Sequence, residues 1–170
     1  MDAATRRVEL LRTLGESNVP VSAAALAARF SVSRQVIVGD VALLRASGAA
    51  ITATPRGYVL NVGGGGYVAT VACVHGMDNM ERELNIMVDN GCTVVNVIVE
   101  HPVYGQITGE LHLSSRHDVR QFMDTVREYG ASLLSTLTGG VHLHTLSCPD
   151  EAAYRRTLTE LRGAGMLYGE

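Results

Sequence analysis

The chain of 170 residues contains no tryptophan, no lysine and only two phenylalanines. Its core must therefore be aliphatic, built from Val, Leu, Ile, Ala and Met, and every basic side chain apart from histidine is an arginine. No apolar run approaches the roughly 18 residues that a membrane helix needs, so no membrane partner is expected. The opening stretch MDAATRRVELL lacks the apolar centre of a secretory signal, which implies a cytoplasmic address. Cysteine is scarce as well. Cys73, Cys92 and Cys148 are odd in number and far apart, with no CxxC pair. Neither a disulfide framework nor a cysteine-type zinc site is expected from them. With a hydrophobic fraction of 46% and a mean hydropathy of +0.14, the composition is that of a globular chain. Secreted disulfide scaffolds, membrane proteins and collagen-like repeats are excluded.

What is present is divided unevenly. Residues 1–60 hold seven arginines against four carboxylates, a balance of +3, whereas residues 61–170 hold seven against thirteen, a balance of −6. A basic head on an acidic body suits a DNA-binding domain attached to a sensory one. Gly63–Gly66 is a run of four glycines in which backbone entropy opposes any regular element. The chain is thus read as a domain over 1–62, a linker over 63–66 and a second domain over 67–170.

The first domain reads as a winged helix-turn-helix. Val8, Leu11 and Leu14 lie at helical spacing with Leu10 beside them, and Asn18–Pro20 ends that helix. Ser22 is placed to cap a short helix that buries Leu26 and Phe30. After a turn at Phe30–Val32, Ser33 caps a third helix with Ile37, Val41 and Leu44 inward. Ser33, Arg34, Gln35 and Val38 are left near its exposed N-terminal part, the part of a recognition helix that meets base edges in the major groove. Arg pairs with guanine through two hydrogen bonds and Gln with adenine, each pair discriminating by about 1–3 kcal/mol. A hairpin over Ala50–Leu60 turns at Pro55–Gly57 and would aim Arg56 at phosphates or the minor groove. Operator DNA is the expected partner.

The second domain reads βαββαβα: strand Tyr67–Val74, helix Met77–Asn90, strands Thr93–Val99 and Ile107–Leu113, a Ser115-capped helix, strand Gly140–Ser147 and a last helix from Pro149. Two such halves suggest a ferredoxin-like or closely related antiparallel sheet covered by helices, so the whole chain is α+β. In that arrangement the fourth strand runs antiparallel beside the first. His142 and His144 are spaced i, i+2 on the fourth strand and share a face. The start of that strand then lies near His75, at the end of the first. Glu83 stands two turns into the following helix, beside the Met80–Leu84–Met87 stripe, where a lone carboxylate is costly to desolvate unless paired or bound to a cation. Three imidazoles and a carboxylate suit zinc, nickel, iron or copper and suit calcium poorly. His101 ends a strand before a Pro turn, where it either lines a pocket or bonds its own loop. His112 and His117 read as surface residues. Cys73 and Cys148 read as small core residues, with Cys148 the first choice for a fifth ligand.

The winged-helix segment VSRQVIVGDVALLRASGAAITATPRGYVL resembles that of the family that includes the biotin operon repressor. Further on, the stretch from His75 to Glu83, VIVEHPVYGQITGELHLSSRHDV and LLSTLTGGVHLHTL resemble the three-histidine (3H) domain. Together these segments, over roughly residues 6 to 165, resemble the niacin-responsive transcriptional repressor family (NiaR, also called YrxA). The resemblance implies a homodimeric repressor of NAD-biosynthesis or niacin-uptake genes, with nicotinic acid as co-repressor. It also implies a divalent transition metal (nickel, zinc or iron) held by His75, Glu83, His142 and His144. His101, Tyr104 and Thr138 are the expected ligand-binding residues. Gly39 departs from the pattern, standing where the recognition helix is expected to carry Gln.

Two readings of other classes compete. One is a small metal-dependent hydrolase, with Glu100 or His101 as acid or base, although no GxSxG or HExxH signature is present. The other is a DNA-binding regulator that senses a different small molecule, such as an amino acid.

Overall fold

The computed structural model describes residues 1–61, 66–130 and 132–169. The chain divides into two compact units, 1–64 and 65–170. The glycine run expected to link them lies, Gly66 apart, outside the described residues.

In the first unit three helices, α1 (Ala3–Glu16), α2 (Ala23–Phe30) and α3 (Arg34–Ala46), precede a hairpin of β1 (Ile51–Thr54) and β2 (Gly57–Leu60). Each helix starts on a side-chain cap. Asp2 accepts from Ala4 N and Thr5 N, Ser22 from Ala25 N, and Ser33 from Val36 N. These bonds satisfy amide groups that have no partner inside the helix. Leu10, Leu14, Leu26, Ile37, Val41, Leu44 and Ile51 form the core, with Phe30 packed partly against it. Val8 is a correction to the helical-face reading: it is 65% exposed, and α1 turns Leu10 and Leu14 inward instead. The charged exception inside is Asp40, 4% exposed, which accepts from Arg6 Nε at 2.6 Å and faces Arg7 Nη1 at 3.5 Å. This pair ties α1 to α3 and leaves the N-terminal turn of α3 facing outward. The hairpin is fixed from the other side by a two-way backbone bridge between Val21 and Tyr58. Gly57, at φ 139°, permits that approach, since a Cβ there would collide with the Val21 carbonyl.

The second unit runs β3 (Tyr67–Val74), a 3₁₀ turn (Met77–Asn79), α4 (Met80–Asp89), β4 (Thr93–His101), β5 (Gly105–Leu113), α5 (Arg116–Tyr129), a 3₁₀ turn (Leu134–Thr138), β6 (Val141–Cys148) and α6 (Glu151–Gly163). The order of elements is the expected βαββαβα. Among the described residues the sheet has the strand order β3-β6-β4-β5, antiparallel at every pairing. The last strand indeed lies beside the first, and it is an inner strand between β3 and β4, so its inward residues are buried from both sides. Alternation is strict: His142, His144, Leu146 and Cys148 are buried, and the residues between them are half-buried. The buried face packs against Leu84 and Met87 of α4, Val119 and Met123 of α5, and Ala153 and Leu161 of α6. The helix expected over 77–90 begins instead as a 3₁₀ turn and becomes α-helical at Met80.

Cys92 and Cys148 are joined by a disulfide. Spacing gave no hint of it, because the pairing is made by strand register. Thr93 lies opposite Ser147, which brings the flanking Cys92 and Cys148 together. Cys148 is thereby removed as a metal ligand.

Gly39 lies on the exposed side of α3, where an added Cβ meets nothing within 4 Å. Gly39→Ala should therefore stabilise the protein by about 1 kcal/mol, since only the helix propensity changes. Urea unfolding of the two proteins, followed by circular dichroism, checks this.

Candidate functional site

Two regions carry the candidate residues, one in each unit. In the first, the exposed Arg34, Gln35 and Val38 follow the Ser33 cap at the start of α3. Arg34 and Arg56 border one groove of about 340 Å³, whose walls include Ser22, Ala24, Thr54 and Tyr58. The N-terminal ends of α2 and α3 are both close to this groove, and helix N-termini favour phosphate oxygens. Arg56 sits in the turn between β1 and β2, where the hairpin reading put it. It is half-buried, and its amide donates to Thr54 Oγ1 at 3.2 Å.

In the second unit, strand parity and α4 bring four side chains to one point. Glu83, 1% exposed, projects from the first turn of α4 toward β6. His75 Nε2 lies 2.7 Å from its Oε2, His142 Nε2 3.0 Å from Oε1, and His144 Nε2 3.4 Å from Oε2. The imidazoles are 3% to 6% exposed at the side chain, and the His142 ring stands edge-on to both others at 4.9 Å. The quartet named from topology and from resemblance is thus brought together in space.

The opposite ring nitrogens decide what the point can hold. His75 Nδ1 lies 2.8 Å from the Gly76 carbonyl, His142 Nδ1 2.9 Å from Gly140, and His144 Nδ1 2.7 Å from Asn96. A carbonyl only accepts, so each Nδ1 carries a proton and each neutral ring turns its Nε2 lone pair toward Glu83. Three lone pairs and two carboxylate oxygens then face one another with no donor. His75 Nε2 is buried and, although close to Glu83, has no aligned hydrogen-bond partner. Such a set needs protons or a cation. Imidazoles that donate Nδ1–H to main-chain carbonyls while presenting Nε2 are typical of bound-metal histidines. The donors fit a borderline divalent ion such as zinc, nickel or iron.

Without a cation the charges settle on protons. Burial works against the Glu83 carboxylate, but the electrostatic influence of His144 and the close approach of His142, His144 and His75 outweigh it and hold its pKa well below the usual range. Burial also disfavours the charged form of His75, yet the adjacent Glu83 outweighs it and raises its pKa. Burial and Glu83 together push the Cys73 thiol up.

Several residues outside the quartet shape it. Gly140, at φ 95°, lies so close to His75 that a Cβ would stand 2.7 Å from that residue's carbonyl oxygen. The Gly140 carbonyl also accepts from His142 Nδ1. The Gly-Gly of LTGGVHLH is therefore a close-approach device between two of the imidazoles. Asn96 sits at a bulge in β4; its carbonyl accepts from His144, and its side-chain oxygen from Thr145 N at 3.1 Å. Cys73 lies opposite His142 in the β3–β6 register, and its sulfur, a Glu83 oxygen and a His142 nitrogen lie within 4.8 Å of one another. The expectation that Cys148 would stand next to the cluster is corrected, since Cys73 does. Parity of the first strand puts Cys73 and His75 on one face, but only the register across β6 sets Cys73 opposite His142.

Of the three residues expected to bind a small ligand, His101 and Thr138 hydrogen-bond within their own turns. His101 Nδ1 accepts from Val103 N at 3.1 Å and Tyr104 N at 3.3 Å, and its ring packs on the 77% exposed Tyr104 at 5.0 Å. Of the two options left open, His101 thus bonds its own loop. Thr138 Oγ1 is within bonding distance of the Val141 and Ser135 carbonyls, so its proton is committed inside the turn before β6. No hydrogen bond among the described residues joins His101 or Tyr104 to the quartet. His112, expected at the surface, is 13% exposed at the side chain with Glu110 at 3.3 Å.

Comparison with known proteins follows this division. Residues 6–59 match an HTH domain and residues 68–170 match the 3H domain. The chain is 47% identical over 165 residues to "Probable transcription repressor NiaR" of Thermotoga maritima, covering 97% of this chain and 94% of that one. It is 42% identical over 168 residues to "Transcription repressor NadR" of Bacillus subtilis, covering 96% and 93%.

The protonated site has a pH window. The contribution of His75 is present below its unfolded value of 6.5 and is lost as pH rises through its raised folded value. That of Glu83 is present above its unfolded value of 4.5 and is lost as pH falls toward its lowered folded value. In chelator-treated protein, urea unfolding against pH should show the site contributing most between these limits, and Glu83→Gln should flatten both limbs.

Proposed function

The chain belongs to the 3H-domain transcription repressors of the NiaR/NadR type, and on that premise we propose that it represses genes of NAD biosynthesis or niacin uptake with nicotinic acid as co-repressor. It is a DNA-binding repressor rather than an enzyme, as both relatives are named repressors over nearly their whole length and an HTH domain matches. No helix among the described residues is long and apolar enough to cross a membrane.

The observation that carries the reading is the convergence of three Nε2 atoms on one buried carboxylate. His75, Glu83, His142 and His144 hold a divalent ion of the nickel, zinc or iron type. Once bound, that ion supplies a Lewis-acid position for a lone-pair donor. Nicotinate offers two such donors, a carboxylate and a pyridine nitrogen. His101, whose Nδ1 accepts, keeps its proton on Nε2 and can donate to a carboxylate, with the Tyr104 ring beside it. Thr138 supports the reading indirectly, by holding the turn from which His142 emerges.

On the DNA side, Arg34 and Gln35 read base edges, Ser33 and Val38 flank them, and Arg56 engages the backbone. A homodimer presents two such heads to two half-sites. Nicotinate alters operator affinity only by its differential affinity for the arrangements of those heads.

Arg34→Ala should weaken operator binding about 5- to 150-fold, the loss of one 1–3 kcal/mol base contact, with metal content unchanged. His142→Ala should lose both the metal and the response to nicotinate. Calorimetry with nicotinate before and after chelation, with operator titrations by fluorescence anisotropy, tests both. Full metal content and full response in His142→Ala would sink the site assignment. Absence of nicotinate binding in either metal state would leave a repressor with another signal.

A further inference from the structure

Cys73 is 0% exposed and is the free cysteine among the described residues. A buried thiol usually packs among aliphatic groups. This one is held instead beside two groups of the metal set. Register places it opposite His142, parity places it on the face of β3 shared with Val71, and the chain reaches His75 two residues later. Its Sγ, a Glu83 oxygen and a His142 nitrogen span no more than 4.8 Å. Two donors on one ion stand apart by at most the sum of their bond lengths, about 4.3 Å for sulfur and nitrogen on zinc. The 4.8 Å bound on these three atoms is close to that reach, so a modest inward shift of the donors around an ion would bring the thiol into coordination.

We propose that Cys73 is a further donor to the ion held by His75, Glu83, His142 and His144, giving an N3OS set that selects thiophilic ions. On binding, the Cys73 S–H bond breaks, the proton leaves to solvent, and the sulfur electron pair forms the bond to the divalent ion; no oxidant or reductant is needed. The thiolate biases the site toward cobalt, nickel, zinc and iron and against manganese and magnesium, which prefer oxygen ligands. The proposal rests on the metal-site reading above, and its test separates the two.

Full-length protein is stripped with chelator and titrated with cobalt(II), followed by ultraviolet and visible absorption. Wild type should show a near-ultraviolet thiolate-to-cobalt charge-transfer band together with visible ligand-field bands. Cys73→Ser should keep one equivalent of cobalt and the visible bands but lose the near-ultraviolet band, and Cys92→Ser/Cys148→Ser should retain it. X-ray absorption of the wild-type cobalt protein needs no variant and should show a sulfur scatterer at about 2.3 Å, the distance usual for a metal–thiolate bond. Cobalt bound with no sulfur scatterer, or an identical spectrum in Cys73→Ser, overturns the role of Cys73 and leaves the quartet standing. Failure of wild type to bind cobalt or zinc overturns the quartet and Cys73 together.

Discussion

A single buried carboxylate organises the second unit. Glu83 is 1% exposed at the side chain, and a charged group so placed must be compensated by partners with correct geometry. Those partners are three imidazoles, and each is itself aimed by a second bond. The Gly76, Gly140 and Asn96 carbonyls hold the three Nδ1 atoms, so the rings cannot rotate to offer Glu83 their other edge. Much of the local backbone follows from this requirement. The close approach of Gly140 to His75, the bulge at Asn96 and the placement of β6 inside the sheet all serve to direct these rings. The aliphatic core of β3, β6 and α4 supplies rigidity around them, but it would tolerate many sequences. The quartet would not.

The first unit solves a different problem with one buried charge of its own. Asp40 faces inward and takes Arg6 and Arg7 of α1. Two of the seven arginines of residues 1–60 are thus engaged in locking helices together, and the basic balance of that segment overstates what it offers to phosphate. What remains near the groove is Arg34 and the half-buried Arg56. Specificity in such an interface rests on a few well-placed forks, whereas overall charge sets salt-dependent affinity. In the proposed homodimer, two heads would together supply the affinity that one modest basic surface lacks, which would make their geometry a natural point of control.

Much of this was legible in the sequence because it follows from local rules. Caps at Ser22, Ser33 and Ser115, the i, i+4, i+7 stripe of Ile37, Val41 and Leu44, and the turn at Pro55–Gly57 are determined within a few residues of themselves. His142 and His144 share a face by strand parity alone, and His75 and Glu83 joined them once the fourth strand was set beside the first. What escaped depends on register, which local patterns do not encode. The Cys92–Cys148 disulfide and the position of Cys73 opposite His142 are both consequences of which residue pairs with which across β6. Val8 was misplaced because an apolar residue at helical spacing need not face the core when Leu10 and Leu14 suffice. Thr138 and His101 were chosen for polarity and proximity in sequence, yet their hydrogen bonds serve their own turns.

The five acceptor atoms that face one another suit protons or a cation, and under the proposed metal reading the two would compete. Close contacts with the three imidazoles hold the Glu83 carboxylate in its charged form despite its burial. Each proton retained there must leave before an Nε2 lone pair can coordinate, so metal affinity falls as acidity rises. The carbonyls of Gly76, Gly140 and Asn96 keep the three Nε2 atoms aimed at one point. Under the proposed metal reading, an entering ion would find its ligands already oriented by main-chain carbonyls, and the loss of conformational entropy on binding would be correspondingly small. A regulatory domain gains from that arrangement. Under the proposed function such an ion would be a fixed anchor for a small anionic effector, and the free energy of effector binding would go into selecting between repressor conformations rather than into assembling the site.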